Sequence, residues 1–540
     1  MKLYLLLITC TCLFSCQQKE KISTSKMDIN TLEKDIQVLS SDSMEGRAPC
    51  SIGETRTLAY LEKRMQEIGL QPAFNGSYFQ EVPLVKVFSK VENTISLSNK
   101  GKNTEMENGT DISIWSPLLD PEISLQKNEL IFVGFGIDAP ENQWNDFDET
   151  DVTGKTIVVL VNDPGFYTQD STFFKGNTMT YYGRWRYKFE EAERKGAAGC
   201  IIVHEEAAAG YPWAVASRRS AEPEYYLKSQ ISQPHHCKIQ GWMSRETAEK
   251  LFALSGLNYD LLKQEALKKT FKAVPLHTSL SVTLKNTWEE CASHNVGGYI
   301  KGSARSDESI IYVGHWDHLG IGKTVEGDSI YNGASDNAAA MAWVLSIAEE
   351  FAAQKKKPER SVLFFIPTAE EPGLFGSEYY VNHPVFPIEK TVACINSDVI
   401  LFLGKFKDVT ITGMGHSELD EYVRLEALKQ NRYIANDPNP ENGMFFRSDQ
   451  LPFLKAGVPC IFAKGYSEQR ELGKEKTQEK INEYWKTIYH KPQDEYVPER
   501  DNLEGIFEDA QLFYSIGNRL ANEKTFPKWN KSSEFYKERL

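Results

Sequence analysis

Apolar positions recur at helical spacing through residues 27–70, where LEKDIQVLSS and TRTLAYLEKRMQEIGL each carry a one-sided stripe and Gly69 supplies a stop signal. Two helices are predicted there. Residues 78–97 alternate in part and read as strand, and the polar stretch 98–109 interrupts the pattern as a domain edge. Residues 110–272 have their own texture: LIFVGFG, GKTIVVLVND, a helix-like KFEEAERKGAAG and GCIIVHEE predict a small α/β unit. After HTSLSVTL, the short apolar runs VGGYI, ESIIYVG, SVLFFIP, TVACIN, DVTITG and VPCIFA follow one another, with helical segments between several of them. That rhythm predicts an α/β, doubly wound, largely parallel sheet covered on both faces. The organisation expected is a main domain built from residues 27–109 and 273–540, with residues 110–272 inserted as a smaller domain.

The first residues read as an address. The apolar run 4–15 is too short to span a bilayer and suits the core of a secretory signal; its end, Leu13-Phe14-Ser15-Cys16, resembles a bacterial lipobox, in which the cysteine is lipidated. An ordinary cleaved signal is the alternative. On the lipobox reading residues 1–16 are removed or modified at Cys16, and the chain is an exported lipoprotein anchored in the periplasm or outer membrane, touching membrane only through that lipid.

Lys and Arg number 61 against 75 Asp and Glu, a net charge of −14. The acidic balance argues against nucleic acid as a partner and favours a small or peptidic substrate. Of nine cysteines, Cys10, Cys12 and Cys16 fall in the signal; the others are irregularly spaced with no CxxC pair, which argues against a disulfide framework. Cys200, Cys394 and Cys460 lie in apolar runs and read as buried small hydrophobes.

In parallel α/β sheets chemistry gathers at the carboxyl ends of strands. ESIIYVG is followed by His315-Trp316-Asp317-His318, SVLFFIPTA by Glu370-Glu371, and TVACIN by Ser397-Asp398. Asn332-Gly333-Ala334-Ser335-Asp336-Asn337 leads into AAAMAWVLSIAEEF, where Asp336 is placed to cap the helix, and Tyr489-His490-Lys491-Pro492 lies near the C-terminus. Singly, each motif has a bland reading as a surface pair, a cap or a solvated loop. Together, His315, Asp336, Glu371, Asp398 and His490 make a nitrogen and oxygen set suited to zinc, with enough ligands for two ions if one carboxylate bridges.

The motifs GHWDH, NGASDN, PTAEEPGLFGS, NSD, FRSDQLPFLKAGVP and YHKPQDE resemble those of the co-catalytic two-zinc aminopeptidases and their glutamate carboxypeptidase relatives. Residues 110–272, above all AERKGAAGCIIV, resemble the protease-associated lid inserted in some of those enzymes. The resemblance implies that Asp336 bridges two Zn2+ ions, that His315 and Asp398 hold one, and that Glu371 and His490 hold the other. It makes Glu370 the general base, with Asp317 orienting His315 through its other ring nitrogen. Tyr489 would donate to the developing oxyanion and Arg447 would meet the substrate backbone; a packed aromatic and a surface ion pair are the alternatives. A hydroxide shared by the ions would attack the peptide carbonyl once Glu370 takes its proton.

Glutaminyl cyclases and receptor-like proteins share the scaffold, but a complete ligand set favours a hydrolase. Two divalent ions, three carboxylate ligands, the base and hydroxide leave a residual negative charge, which favours a substrate ammonium and hence an aminopeptidase over a carboxypeptidase. The aromatic and basic cluster 181–187 is expected either to line the lid, with Arg184 and Arg186 touching the peptide, or to pack the insert's own core.

Overall fold

The computed structural model describes residues 26–232 and 237–537. Residues 1–16, with Cys16, lie outside the described residues. Helices α1 (Ile29–Leu39) and α2 (Ile52–Ile68) fulfil the first expectation, α2 starting where Ser51 Oγ accepts from the Glu54 amide and ending at Gly69, whose φ is 84°. Strand β1 (Phe79–Val91) follows. The polar stretch after it is not a break: Ile95–Asn99 and Lys102–Met106 pair as an antiparallel hairpin, and its charged positions point to solvent.

Residues 110–272, expected as the insert, hold four parallel strands, β2 (Glu122–Phe132), β3 (Thr156–Leu160), β4 (Gly199–His204) and β5 (Ile239–Ser244), with helix α3 (Trp185–Arg194) packed on one face. The 27-residue strand β6 (Val274–Ile300) joins the two parts. Its first half pairs with β2, its second with β1 over Leu284–Val296, so insert and main sheet share one continuous strand. A disulfide from Cys50 to Cys291 ties the loop before α2 to β6, one covalent link where irregular spacing had argued against a framework.

Beyond β6 lie β7 (Arg305–Val313), β8 (Arg360–Ile366), β9 (Thr391–Asn396) and β10 (Cys460–Lys464). The order is β6, β8, β7, β9, β10, and every pair after the first is parallel. All residues of β8 and β9 are buried, as continuous apolar runs require when helices cover both faces. On one face, the alanine-rich helix α4 (Ala339–Ala352) sits in a core shared with α1, α2 and α5 (Glu504–Asn522). Gly314, directly after β7, faces α4 so closely that an added Cβ would stand 3.0 Å from the Ala340 methyl. That contact fixes where His315 begins. No helix among the described residues is long and apolar enough to cross a membrane.

Candidate active site

Three parallel strands end side by side, and each delivers polar side chains past its last apolar residue: β7 gives His315, β8 Glu370 and Glu371, β9 Asp398. The turn before α4 adds Asp336, and the segment after residues 473–487 adds His490. All five expected ligands therefore converge. His315 Nε2 lies 3.2 Å from Asp398 Oδ1 and 3.4 Å from Asp336 Oδ1, while His490 Nε2 lies 3.2 Å from both Asp336 Oδ2 and Glu371 Oε2. Asp336 thus presents one oxygen to each imidazole.

Asp336 does not cap the helix. Its φ and ψ are −120° and 86°, α4 starts only at Ala339, and the carboxylate turns to the histidines instead. The turn is held by Asp494, which accepts from the amides of Ser335 and Asp336 at 3.0 Å each. Gly333, with φ 58°, leaves no room for a side chain, because a Cβ would stand 2.6 Å from the His318 ring.

Asp317 differs from expectation as well. Its carboxylate is 3.9 Å from His315 Nδ1, which donates instead to the Asp317 carbonyl oxygen at 3.0 Å. The Asp317 oxygens accept from the amides of Glu370 and Glu371 at 3.0 and 3.2 Å. Asp317 positions the two glutamates, and its backbone orients the histidine.

His318, given no role in the sequence, sits inside the cluster: its Nδ1 lies 2.6 Å from Glu371 Oε1, the oxygen that His490 leaves free. Arg47, wholly buried, braces the same loops by donating to the carbonyls of Leu39, Trp316, Asn332 and Gly333. Lys464 donates to the carbonyls of Asp398 and Val399 at 2.5 and 2.6 Å. These partners are distant in sequence, and only His318 and Asp494, inside motifs already singled out, carried a signal.

Burial alone would lower the two imidazoles. Glu370 and Asp398 outweigh it at His315, which is raised well above the usual range, and Glu371 and Asp336 push His490 up to about 10. Burial raises Glu370 far above a normal carboxyl, helped by Asp398 and Glu371 against the pull of His315. For Glu371 burial also acts upward, yet His490 and His318 bring it down to about 2. Carboxylates that hold protons on buried imidazoles this firmly are a donor set that divalent cations satisfy, replacing those protons. The donor atoms of His315, Glu370 and Asp398 lie within 4.8 Å of one another, as do those of His318, Asp336 and Glu371. The residues fit zinc.

Tyr489 stacks on His490 with centroids 3.8 Å apart and is only half-buried. Among the described residues Arg447 makes no ion pair; it lies over the Tyr211 ring at 5.8 Å, and Tyr489 is among its electrostatic neighbours. In the insert, Tyr181 packs against Tyr187 and, across the seam, against Phe446 and Phe535, so the aromatic cluster 181–187 joins the two parts. Arg184 is buried near Arg447. Arg186 Nη1 donates to the Gly373 carbonyl at 2.7 Å and its guanidinium covers Phe375, which links residues 110–272 to the loop after Glu371.

Residues 295–511 match the family model for peptidase family M28. The fold is similar to that of the aminopeptidase from Aneurinibacillus sp. strain AM-1, at 17% identity and TM-score 0.50 over 93% of this chain and 95% of that one. A zinc aminopeptidase from Bacillus subtilis is 17% identical over 95% of this chain and 99% of that one, with TM-score 0.45. A peptidase M28 precursor from Shewanella amazonensis is 17% identical over 92% and 98%, with TM-score 0.39. The family match over residues 295–511, the segment that carries the five converging side chains, makes the chain a metallopeptidase.

Proposed function

We propose that the chain is an aminopeptidase that holds two zinc ions, one on His315 and Asp398 and one on Glu371 and His490, with Asp336 shared. The observation that carries this reading is the division of Asp336, one oxygen toward each histidine at 3.4 and 3.2 Å. When bound, such ions polarise the scissile carbonyl and make water acidic enough to react near neutrality.

The remaining chemistry belongs to the chain. Glu370, held by Asp317 through its amide, takes a proton from the attacking water and returns it to the departing amine. His318 fixes the carboxylate of Glu371 through the oxygen that faces away from His490. The Tyr489 hydroxyl donates to the carbonyl oxygen as negative charge grows there.

The residual negative charge of the loaded centre favours an N-terminal ammonium, and the Aneurinibacillus relative of the same fold is described as an aminopeptidase. We read the insert as a protease-associated lid, and residues 1–16 as a signal ending in a lipidated Cys16. Loss of fatty-acid labelling in Cys16→Ser tests the anchor. One tripeptide in three forms tests the polarity: cleavage of the free and C-terminally amidated forms with loss of the N-acetylated form supports an aminopeptidase, and the reverse pattern overturns it. A content of two zinc ions per chain is expected from metal analysis.

A further inference from the structure

Two of the three carboxylate ligands are braced by acidic side chains acting on amides. Asp336 sits in a turn whose amides donate to Asp494, and Glu371 has its amide on Asp317 and one oxygen beside His318. Asp398 lacks any such brace on its carboxylate. Among the described residues only His315, itself a ligand, comes within hydrogen-bond reach of those oxygens, at 3.2 Å. Its support arrives through the backbone instead, from Lys464.

Sheet register puts Lys464 there. Strands β9 and β10 run parallel with Asn396 opposite Phe462, so two residues further on Asp398 leaves its strand beside Lys464, the last residue of β10. The ammonium lies 5.5 Å from the ring centroids of both Phe462 and Tyr466, and Tyr466 is itself fixed, its hydroxyl accepting from Trp485 Nε1 at 2.9 Å. From that position Nζ donates to the carbonyls of Asp398 and Val399 at 2.5 and 2.6 Å.

The turn depends on such a clamp. Val399 is buried and β-branched, yet its φ is 48°, a conformation that branched side chains rarely adopt. A residue persists there only where its surroundings over-determine it. Two sets of contacts do so: the bonds from Lys464, and the Ile400 amide donating to the Ser335 carbonyl at 3.2 Å. In an extended chain successive carbonyls point to opposite sides, and one nitrogen could not reach both. The left-handed bend that gathers the two carbonyls comes directly after the residue whose carboxylate meets His315.

We propose that Lys464 is a positioning residue for the reaction: by clamping both carbonyls it fixes the Asp398 side chain, and the affinity of the ion held by His315 and Asp398 depends on it. The inference rests on the two-zinc reading for the identity of that ion. An ammonium suits the task because its three donors serve two carbonyls at once, and outer partners of this kind set metal affinity by roughly ten- to a hundredfold.

The test measures zinc affinity on the full chain, by competition with a chromophoric chelator near neutral pH, beside the rate of tripeptide cleavage. In Lys464→Met one of the two ions should bind about ten- to a hundredfold more weakly and the other change by less than about threefold, and activity lost at limiting zinc should return as zinc is raised. Lys464→Arg, which keeps donors for both carbonyls, should recover part of the affinity. So should Val399→Gly added to Lys464→Met, because glycine enters positive φ without steric cost. Loss at one ion is the decisive readout, since damage to the scaffold weakens both. Equal weakening of both ions, unchanged affinity for both, or no recovery in either rescue variant overturns the proposal. Should Lys464→Met not fold, Lys464→Gln is read by the same criteria. If the parent holds a single ion, the two-zinc reading fails by itself, and loss or retention of that ion's affinity in Lys464→Met decides the role of Lys464. A parent that binds no zinc overturns both.

Discussion

A cluster of buried charge at the strand ends of the main sheet and another within residues 110–272 are put together in opposite ways. In the insert, Lys188 is 1% exposed and donates to the Asn162 carbonyl at 2.9 Å. Asp146 accepts from the amides of Phe135 and Ile137, and Asp163 accepts from the amides of Gly165 and Thr180 and from the Thr180 hydroxyl. Each charge there ends on main chain and holds a turn. At the strand ends the carboxylates and imidazoles end on one another: Asp336 reaches His315 and His490, and Glu371 reaches His318 and His490. Buried charge is common to both. What marks the second as a site for ions is convergence of side chain on side chain, with protons standing where cations belong.

The largest effect that separates the two is on catalysis. Glu370→Gln should lower kcat by about 10²- to 10⁴-fold while zinc content stays at the parent level, because the side chain moves protons and is not an assigned ligand. Asp336→Asn should instead lower zinc content together with rate. If Glu370→Gln also lost metal, Glu370 would join the ligands, as its proximity to His315 and Asp398 permits.

Next in size is the insert. Lys188→Met leaves Asp146 and Asp163 buried without their cation and should cost about 3–5 kcal/mol of stability near pH 7, where burial places Lys188 itself. Burial holds these carboxyls up at about 7 and about 6, so protonation relieves the loss. The deficit should therefore shrink between pH 7 and pH 5 in urea titrations, with the substitution leaving kcat/KM unchanged at each pH. An equal deficit at both pH values would show that the cluster is not held by charge.

The same contrast explains what the sequence disclosed. His315, Glu371 and Asp398 were legible as a converging set because each closely follows an apolar run, so strand end and side chain are read together; the parallel core was legible for the same local reason. The cap assigned to Asp336 misled because a residue before a helix looks alike whether it bonds the first turn or faces outward. His318 escaped notice though it stands three residues from His315, since only the fold brings it to Glu371. Arg47, Lys464 and the Cys50–Cys291 bond were illegible: their partners are far away along the chain, 241 residues for the disulfide, and no periodicity encodes such pairing.

The smallest expected effect concerns a histidine that behaves as the inverse of those at the centre. His416 is buried, stacks on Phe445 at 4.7 Å, and places Nδ1 2.9 Å from the Ser533 hydroxyl. Burial pushes it down to about 4, with Lys175 acting in the same direction and Glu534, 3.8 Å away, only partly opposing. A histidine whose folded value lies below its unfolded value of about 6.5 is protonated first in the unfolded chain. Its contribution is complete above pH 6.5, declines as pH falls toward 4, and is constant below that. Over the whole window the loss is about 3 kcal/mol. His416→Gln keeps a polar partner for Ser533 and removes the titration, so the variant's stability should fall less steeply between pH 6.5 and 4, by up to about 1.4 kcal/mol per pH unit. Denaturation curves collected at half-unit intervals measure that slope. Parallel pH profiles for parent and variant would mean that His416 does not hold its neutral form in the fold, and that the contrast with His315 and His490 is one of position alone.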